Sequence, residues 1–161
     1  MITGKTMKNW IAALLVLGPS VVRADVDGAE IKLCLNTKIE YNQPAAECVT
    51  EALQACFQID DKHVNTKTDC YLSAKSDFAT LNAGRIDELQ SALDAQKYQI
   101  VEISTRYDIL GNLMQCDRLH EMNLVMQEDA DAINLQNFRC QATAMGMAFA
   151  KLYVQSQGLG R

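Results

Sequence analysis

DCYLSAKSDFATLNAGRIDEL, residues 69–89, is the stretch around which the rest of the chain is organised. It contains Cys70 near its start and is centred on the pair Leu81 and Asn82. Its apolar residues recur at helical spacing, which predicts a helix. Three cysteines precede it in a short region, and the last two follow a long segment without proline. We therefore expect this helix to lie at the centre of the fold.

The segment from Cys70 to about His120 carries an apolar residue at every seventh position: Leu72, Ala79, Ile86, Leu93, Ile100, Tyr107 and Met114. One continuous helix over this segment would be about 75 Å long. A compact domain of this size has a radius of gyration of only about 14 Å. We expect the helix to break near residues 91–94, and an unbroken, elongated helix is the alternative.

Shorter helices are predicted on both sides of this segment. Asp27 is expected to cap a first helix that ends near Lys38, and Pro44 suits the first turn of a second. The second helix is predicted to have a buried stripe of Cys48, Ala52, Ala55, Cys56 and Ile59. The last helix, from about residue 132 to 155, is predicted to have a buried stripe of Phe138, Ala142, Met145, Phe149 and Leu152.

Two polar segments are predicted to be loops. Residues 60–68 precede the central segment, and Thr66 or Thr68 is expected to cap the helix that follows. Residues 121–134 precede the last helix, and Asp129 or Asp131 is expected to cap it. No segment alternates with period two, so the fold class is all-α, a small disulfide-stapled helical bundle of about four to five helices.

Residues 1–24 are typical of a secretory signal peptide. Lys5 and Lys8 precede an apolar run that ends at Leu17, and Ala24 supplies a small residue before the expected cleavage point. The run is about half of the ~20 residues needed to span a bilayer, which disfavours a membrane anchor. We expect residues 25–161 to form a single Cys-rich helical domain, located in the periplasm or secreted, with no membrane insertion after cleavage.

All six cysteines lie in the expected mature chain: Cys34, Cys48, Cys56, Cys70, Cys116 and Cys140. An even number in an exported chain favours disulfides. Cys48 and Cys56 are eight residues apart on a predicted helix, which separates their Cα atoms by about 12 Å. A disulfide requires Cα atoms within about 7 Å, so the two cysteines must take different partners. We expect the sequential pairs Cys34–Cys48, Cys56–Cys70 and Cys116–Cys140, which would close loops worth about 3 kcal/mol each. The crossed pairs Cys34–Cys56 and Cys48–Cys70 remain open.

The mature chain is acidic, with 20 Asp and Glu against 12 Lys and Arg once Lys5, Lys8 and Arg23 are removed, a net charge of −8. Such a chain is repelled by nucleic acid and attracted to basic partners. It has no basic run or aromatic platform, so we expect no nucleic-acid binding.

Catalytic and metal-binding patterns are weak. Cys116 and His120 have a spacing that can bind a metal, but the only other histidine is His63 and the cysteines are expected in disulfides. The serines lie in helical contexts without a nucleophile elbow, and no glycine-rich phosphate loop is present. We expect a protein that is not an enzyme and has no metal or cofactor.

The order of these features resembles the LprI-like lysozyme-inhibitor family of bacterial envelope proteins. The resemblance lies in export, in Cys70 followed by Leu81-Asn82 and Leu89, and in two later cysteines that flank a loop. Residues 34–56 are similar to an extra N-terminal portion of some members. The chain departs from the family at residues 129–134, which replace a Gly-Gly-Ser loop.

Two functions are expected. The resemblance implies a non-catalytic binding protein that sterically occludes a basic, lysozyme-like cell-wall hydrolase, with residues 60–68 or 121–134 as the contact. The alternative is a periplasmic structural or adaptor module that pairs with another envelope protein through the helical seam from Leu72 to Met114. The heptad spacing of that seam favours the alternative.

Overall fold

The computed structural model describes residues 25–126 and 129–159, and all regular secondary structure in these residues is helical. The helices are α1 (Gly28–Glu40), α2 (Ala46–Ala52), α3 (Gln54–Phe57), a short 3-10 helix (Asp61–His63), α4 (Val64–Ala92), α5 (Ala95–Val125) and α6 (Ala130–Ser156). The predicted all-α, disulfide-stapled bundle is confirmed. The described residues form six α-helices rather than four to five, and the predicted signal peptide lies outside them.

The additional helix arises because the predicted second helix breaks at Leu53. Leu53 ends α2 and begins α3, with φ −90° and ψ 0°, and its side chain is buried. Residues eight apart on one straight helix differ by about 80° around its axis. The break allows Cys48 and Cys56 both to face the interior, and it leaves Ala55 exposed, contrary to the predicted stripe.

The long central segment is two helices, as predicted, because α4 ends at Ala92 and α5 begins at Ala95. Asp94 is the N-cap of α5, and its Oδ1 accepts a hydrogen bond of 2.9 Å from the Lys97 backbone N–H. This bond and the nearby Lys97 side chain lower the pKa of the Asp94 carboxyl. A polar cap, rather than a Gly-Pro pair, marks the turn.

Both predicted loops are shorter than expected. Asp60 caps the 3-10 helix, and α4 already begins at Val64, so Thr66 and Thr68 lie inside α4 and cap nothing. At the second predicted loop, residues 121–134, α5 continues to Val125 and α6 begins at Ala130. Asp129 is the N-cap there, as predicted, and accepts a 3.1 Å hydrogen bond from the Ala132 N–H.

Helix α6 is the centre of the bundle, with α4 parallel to it and α5 antiparallel. Helix α4 is parallel to α6 because residue numbers rise together along both helices in three hydrogen bonds: Lys75 to Gln141, Asn82 to Met145 and Arg85 to Ser156. Helix α5 is antiparallel to α6 because the numbers run in opposite directions in three links: Asp108 to Lys151, Cys116 to Cys140 and Asn123 to Gln136. The sequence-based prediction placed the residue 69–89 helix at the centre; the structure gives that position to α6.

Close packing against α6 depends on Gly146. A Cβ atom at this position would lie 2.6 Å from Val49 Cγ1 and 2.9 Å from Phe78 Cζ. Hydrogen in place of a side chain lets α2 and α4 both reach the backbone of α6. The predicted α6 stripe forms much of the core, with Ala142, Met145 and Phe149 buried.

Three disulfides link the helices in sequential order: Cys34–Cys48 joins α1 to α2, Cys56–Cys70 joins α3 to α4, and Cys116–Cys140 joins α5 to α6. Their Cα separations are 5.8, 5.6 and 5.6 Å, within the normal range for a disulfide. The crossed arrangement is therefore not the one formed. Three disulfides in a chain of this size are typical of an oxidising compartment, outside the cell or in the periplasm.

Candidate functional site

The Leu81-Asn82 pair lies where α4 meets two other helices. Leu81 packs against α1, since a Cβ at Gly28 would lie 2.7 Å from Leu81 Cδ2. Asn82 is 4% exposed, and its Nδ2 donates hydrogen bonds to Phe78 O at 2.9 Å and to Met145 O at 3.1 Å. Asn82 thus makes a polar contact between α4 and α6. Its Oδ1 has no hydrogen-bond partner among the described residues.

A groove of about 470 Å³ runs between α4 and α5. Its floor includes Asn82, Thr105 and Met145, all buried. Small side chains of α4 line one wall, at Ala79 and Ala83, and larger ones of α5 line the other. The groove exists because α4 and α5 both pack along α6 but scarcely touch each other. It can therefore receive apolar groups from outside.

The heptad seam predicted from Leu72 to Met114 is not buried within the described chain. On α4 the core positions are Tyr71, Ala74 and Phe78 instead, and Leu72 is 39% exposed. On α5 the apolar side chains form an exposed ridge, defined here as Ile100, Ile103, Tyr107, Leu110 and Met114. This ridge borders the groove, which Leu110 also lines.

The acidic residues are concentrated in the first helices. Residues 25–63 hold eight Asp and Glu against three Lys, a net charge of −5, whereas residues 64–161 hold twelve against nine basic residues, a net charge of −3. A cleft of about 250 Å³ between α1 and the α2–α3 segment is lined by four carboxylates: Asp25, Asp27, Glu30 and Glu51. The sequence contained this asymmetry, but counting charge over the whole chain concealed it.

The two segments predicted as contacts lie at the same end of the bundle, because α4 and α6 both begin there and α5 ends there. The first is held by an ion pair of 2.6 Å between Lys67 and Asp61, which lowers the pKa of the Asp61 carboxyl. The Arg139 guanidinium lies 4.6 Å from the centre of the Phe57 ring and joins α6 to this region. The 3-10 helix therefore lies at the same end as the turn between α5 and α6, whereas α1 lies farther along the bundle, beside Glu88 and Tyr153.

The α5–α6 turn, here called the tip, follows the Cys116–Cys140 disulfide that joins the two helices. Its apolar side chains are exposed, most of all Val125 at 83% and Met126 at 68%. Met122, one turn earlier on α5, is also exposed, at 59%. An exposed apolar tip is suited to burial against another molecule.

A second groove, of about 750 Å³, lies on the other side of the α5–α6 pair. Lys151 and Asp108 form an ion pair of 2.7 Å at one end, and Arg139 and the Cys116–Cys140 disulfide lie farther along. Its lining combines polar side chains, such as Asn112 and Gln115, with apolar ones, such as Ala144 and Met147.

The spacing of Cys116 and His120 does not make a metal site here. Cys116 is bonded to Cys140, so it has no thiolate to offer. His120 is half-buried, and His63 lies in the 3-10 helix at the start of α4. Within residues 25–126 and 129–159 no three His, Cys, Asp or Glu side chains are grouped so that they could hold a metal ion.

Compared with known proteins, the chain matches no protein-family model, no curated protein and no solved structure. No helix in the described part of the chain has the length and apolar character required to cross a bilayer.

Proposed function

We propose that this chain is an exported, non-catalytic binding protein that blocks a basic, lysozyme-like cell-wall hydrolase. The observation that carries the proposal is the acidic segment of residues 25–63 with its four-carboxylate cleft. The resemblance at Cys70, Leu81 and Asn82 supports the class of partner. Residues 1–24 would direct export, and the mature protein would reside in the periplasm or outside the cell.

The acidic segment would govern association. Opposite net charges raise the rate at which two proteins meet, and the gain is lost as salt screens the field. The basic residues of the hydrolase would contact Glu30 and Glu51, which are exposed beside the α1–α2 cleft. Cys34–Cys48 fixes the two sides of that cleft, so little conformational freedom would be lost on binding.

The α5–α6 tip would provide the steric block. Burial of Val125 and Met126 would contribute hydrophobic free energy. Because Glu121, Asp129 and Asp131 lie at this turn, charge attraction would bring the tip towards the partner. No residue of this chain would need to react.

The exposed ridge on α5 favours the second candidate, a periplasmic structural or adaptor module that pairs through part of the predicted seam. Ile100, Tyr107 and Met114 belong to that seam and are 61%, 72% and 62% exposed. This role does not use the acidic segment, so mutation can distinguish the two candidates.

The test is a turbidity assay of bacterial cell-wall lysis by a basic lysozyme, at low salt, with the mature chain added. We expect inhibition at micromolar concentrations that weakens at high salt. Glu30→Lys combined with Glu51→Lys is expected to raise the inhibitory concentration about tenfold or more, because steering is lost. Undiminished lysis at micromolar excess would contradict the proposal.

The matched control is Asp69→Lys combined with Asp87→Lys. Both residues are exposed on α4, and the substitution changes the net charge by the same amount without altering the acidic cleft. An equal loss of inhibition in both variants would show that net charge alone is responsible.

A further inference from the structure

We propose that the groove between α4 and α5 receives the α5 ridge of a second copy of this chain, so that the mature protein forms a two-fold symmetric dimer. This inference is independent of the hydrolase proposal.

The arrangement of the three long helices leaves the place of a fourth helix unfilled. Helices α4 and α5 pack on α6 and diverge from each other, as two corners of a four-helix bundle do when the helix between them is missing. Ala79 and Ala83 on the wall of the groove are small, so an incoming helix can approach α4 closely.

The ridge and the groove lie side by side on the same molecule. A two-fold interface requires one surface to be complementary to itself, because each residue contact occurs twice. Here the α5 ridge of each copy can lie in the groove of the other, with the two α5 helices antiparallel. The a and d spacing of Ile100, Ile103, Tyr107, Leu110 and Met114 is that of a helix that packs against another helix.

Charge does not oppose the approach of a second copy at this surface. Helix α5 has three basic and four acidic residues, which is nearly balanced. The excess of negative charge lies in residues 25–63, which the pairing leaves uncovered. Arg106 and Glu102 both line the groove, so each copy presents both signs to the other.

Asn82 is a buried polar residue on the floor of the groove. An unpaired polar atom in the interior costs about 1–3 kcal/mol, and Asn82 Oδ1 has no partner in the described part of one chain. That oxygen is already enclosed within one chain, so the free energy of pairing would come from burial of the apolar ridge.

The area is sufficient for a reversible dimer. The part of α5 from Gln96 to Arg118 is about 33 Å long, and ridge and groove together are about 20 Å wide. Each copy would bury about 660 Å², or about 1,300 Å² for the pair, in the lower part of the range for specific interfaces. We therefore expect dissociation in the micromolar range.

The experiment is sedimentation equilibrium of the mature chain, with its disulfides formed, up to about 200 µM. We expect a monomer–dimer equilibrium that Tyr107→Glu weakens about tenfold or more, since a charge would be buried at the centre of the ridge. Met114→Glu is the second variant. Leu33→Glu, at a position on α1 that is 68% exposed, is the control and is expected to dimerise like the wild type.

A wild-type chain that is monomeric at about 200 µM, where an interface of this size would form, overturns the proposal. A dimer that survives both Tyr107→Glu and Met114→Glu also overturns it, because its interface lies elsewhere. Circular dichroism of each variant shows that the helices are intact; both ridge residues are mostly exposed in one chain, so their replacement does not disturb the core.

Discussion

Helices α1 to α4 and helix α5 differ in how much of their apolar surface is covered. Helices α1 to α4 bury large side chains, among them Leu35, Val49, Tyr71 and Phe78, and two disulfides hold these helices together. Helix α5 buries only Thr105 and Cys116. One region is held by its interior, and the other leaves large apolar side chains exposed.

This difference follows from which side chains of α6 face each region. Gly146, Ala142 and Ala150 face the first helices and allow close packing, and Phe149 fills the space between them. Helix α5 is attached to α6 mainly along one edge and by Cys116–Cys140. A helix held along one edge leaves most of its circumference free.

Truncation of the core is expected to have the largest effect. Phe78 is fully buried and meets α6 beside Gly146, so Phe78→Ala should lower the free energy of unfolding by about 3–5 kcal/mol. Tyr107→Ala, on the exposed ridge, should change it by less than about 0.5 kcal/mol in the monomer. Urea unfolding measures both, and similar losses would mean that α5 is buried after all.

Removal of the Cys116–Cys140 disulfide should affect the two regions differently. The bond closes a loop with a sequence separation of 24, which corresponds to about 3.5 kcal/mol on the chain-entropy model. In Cys116→Ala with Cys140→Ala, amide exchange should accelerate near the α5–α6 tip and remain slow in α1 to α4. Uniform acceleration throughout the chain would show that the regions do not unfold separately.

Filling the close contact at Gly146 should have a smaller effect. Gly146→Ala places a methyl group against Val49 and Phe78, and overpacking of this kind costs about 1–3 kcal/mol. Ala at Gly111, which has open space around it on α5, should be neutral or stabilising by up to about 1 kcal/mol. A stabilised Gly146→Ala variant would show that the core is looser than its distances indicate.

The smallest expected effect is on pH dependence. Hydrogen bonds from Arg85 and Lys32, which outweigh the opposing effect of partial burial, lower the pKa of Glu88 below its ordinary value of 4.5. The folded state therefore gains stability above that value and loses it as the pH falls through the lowered pKa. Glu88→Gln should reduce the difference in urea midpoint between about pH 7 and pH 3. An unchanged difference would assign the acid sensitivity to other carboxylates.

Local patterns in the sequence predicted most of the fold. Apolar periodicity led to the all-α class, and the length of the central segment led to the break near residues 91–94. Residue type led to the capping roles of Asp27 and Asp129. The break at Leu53 was missed because it accompanies two disulfides, from Cys48 to α1 and from Cys56 to α4, rather than a local sequence signal. The early start of α4 was missed because residues 60–68 are polar and their helix lacks a side-chain cap.

The candidate sites were harder to predict from the sequence. The heptad from Leu72 to Met114 was visible, but whether it faces the core depends on which face of α5 meets α6. The groove at Asn82 is a property of three helices and has no local signal. The acidic segment could have been found by counting charges in sections of the chain.

The most direct test of the proposed function is amide hydrogen exchange of the mature chain with and without an excess of a basic lysozyme. We predict slower exchange in α1, α2 and the 3-10 helix and at the α5–α6 tip, with no change on the ridge around Tyr107. Exchange that is unchanged throughout, or slowed on the ridge alone, would contradict the assignment of hydrolase binding to the acidic segment and the tip.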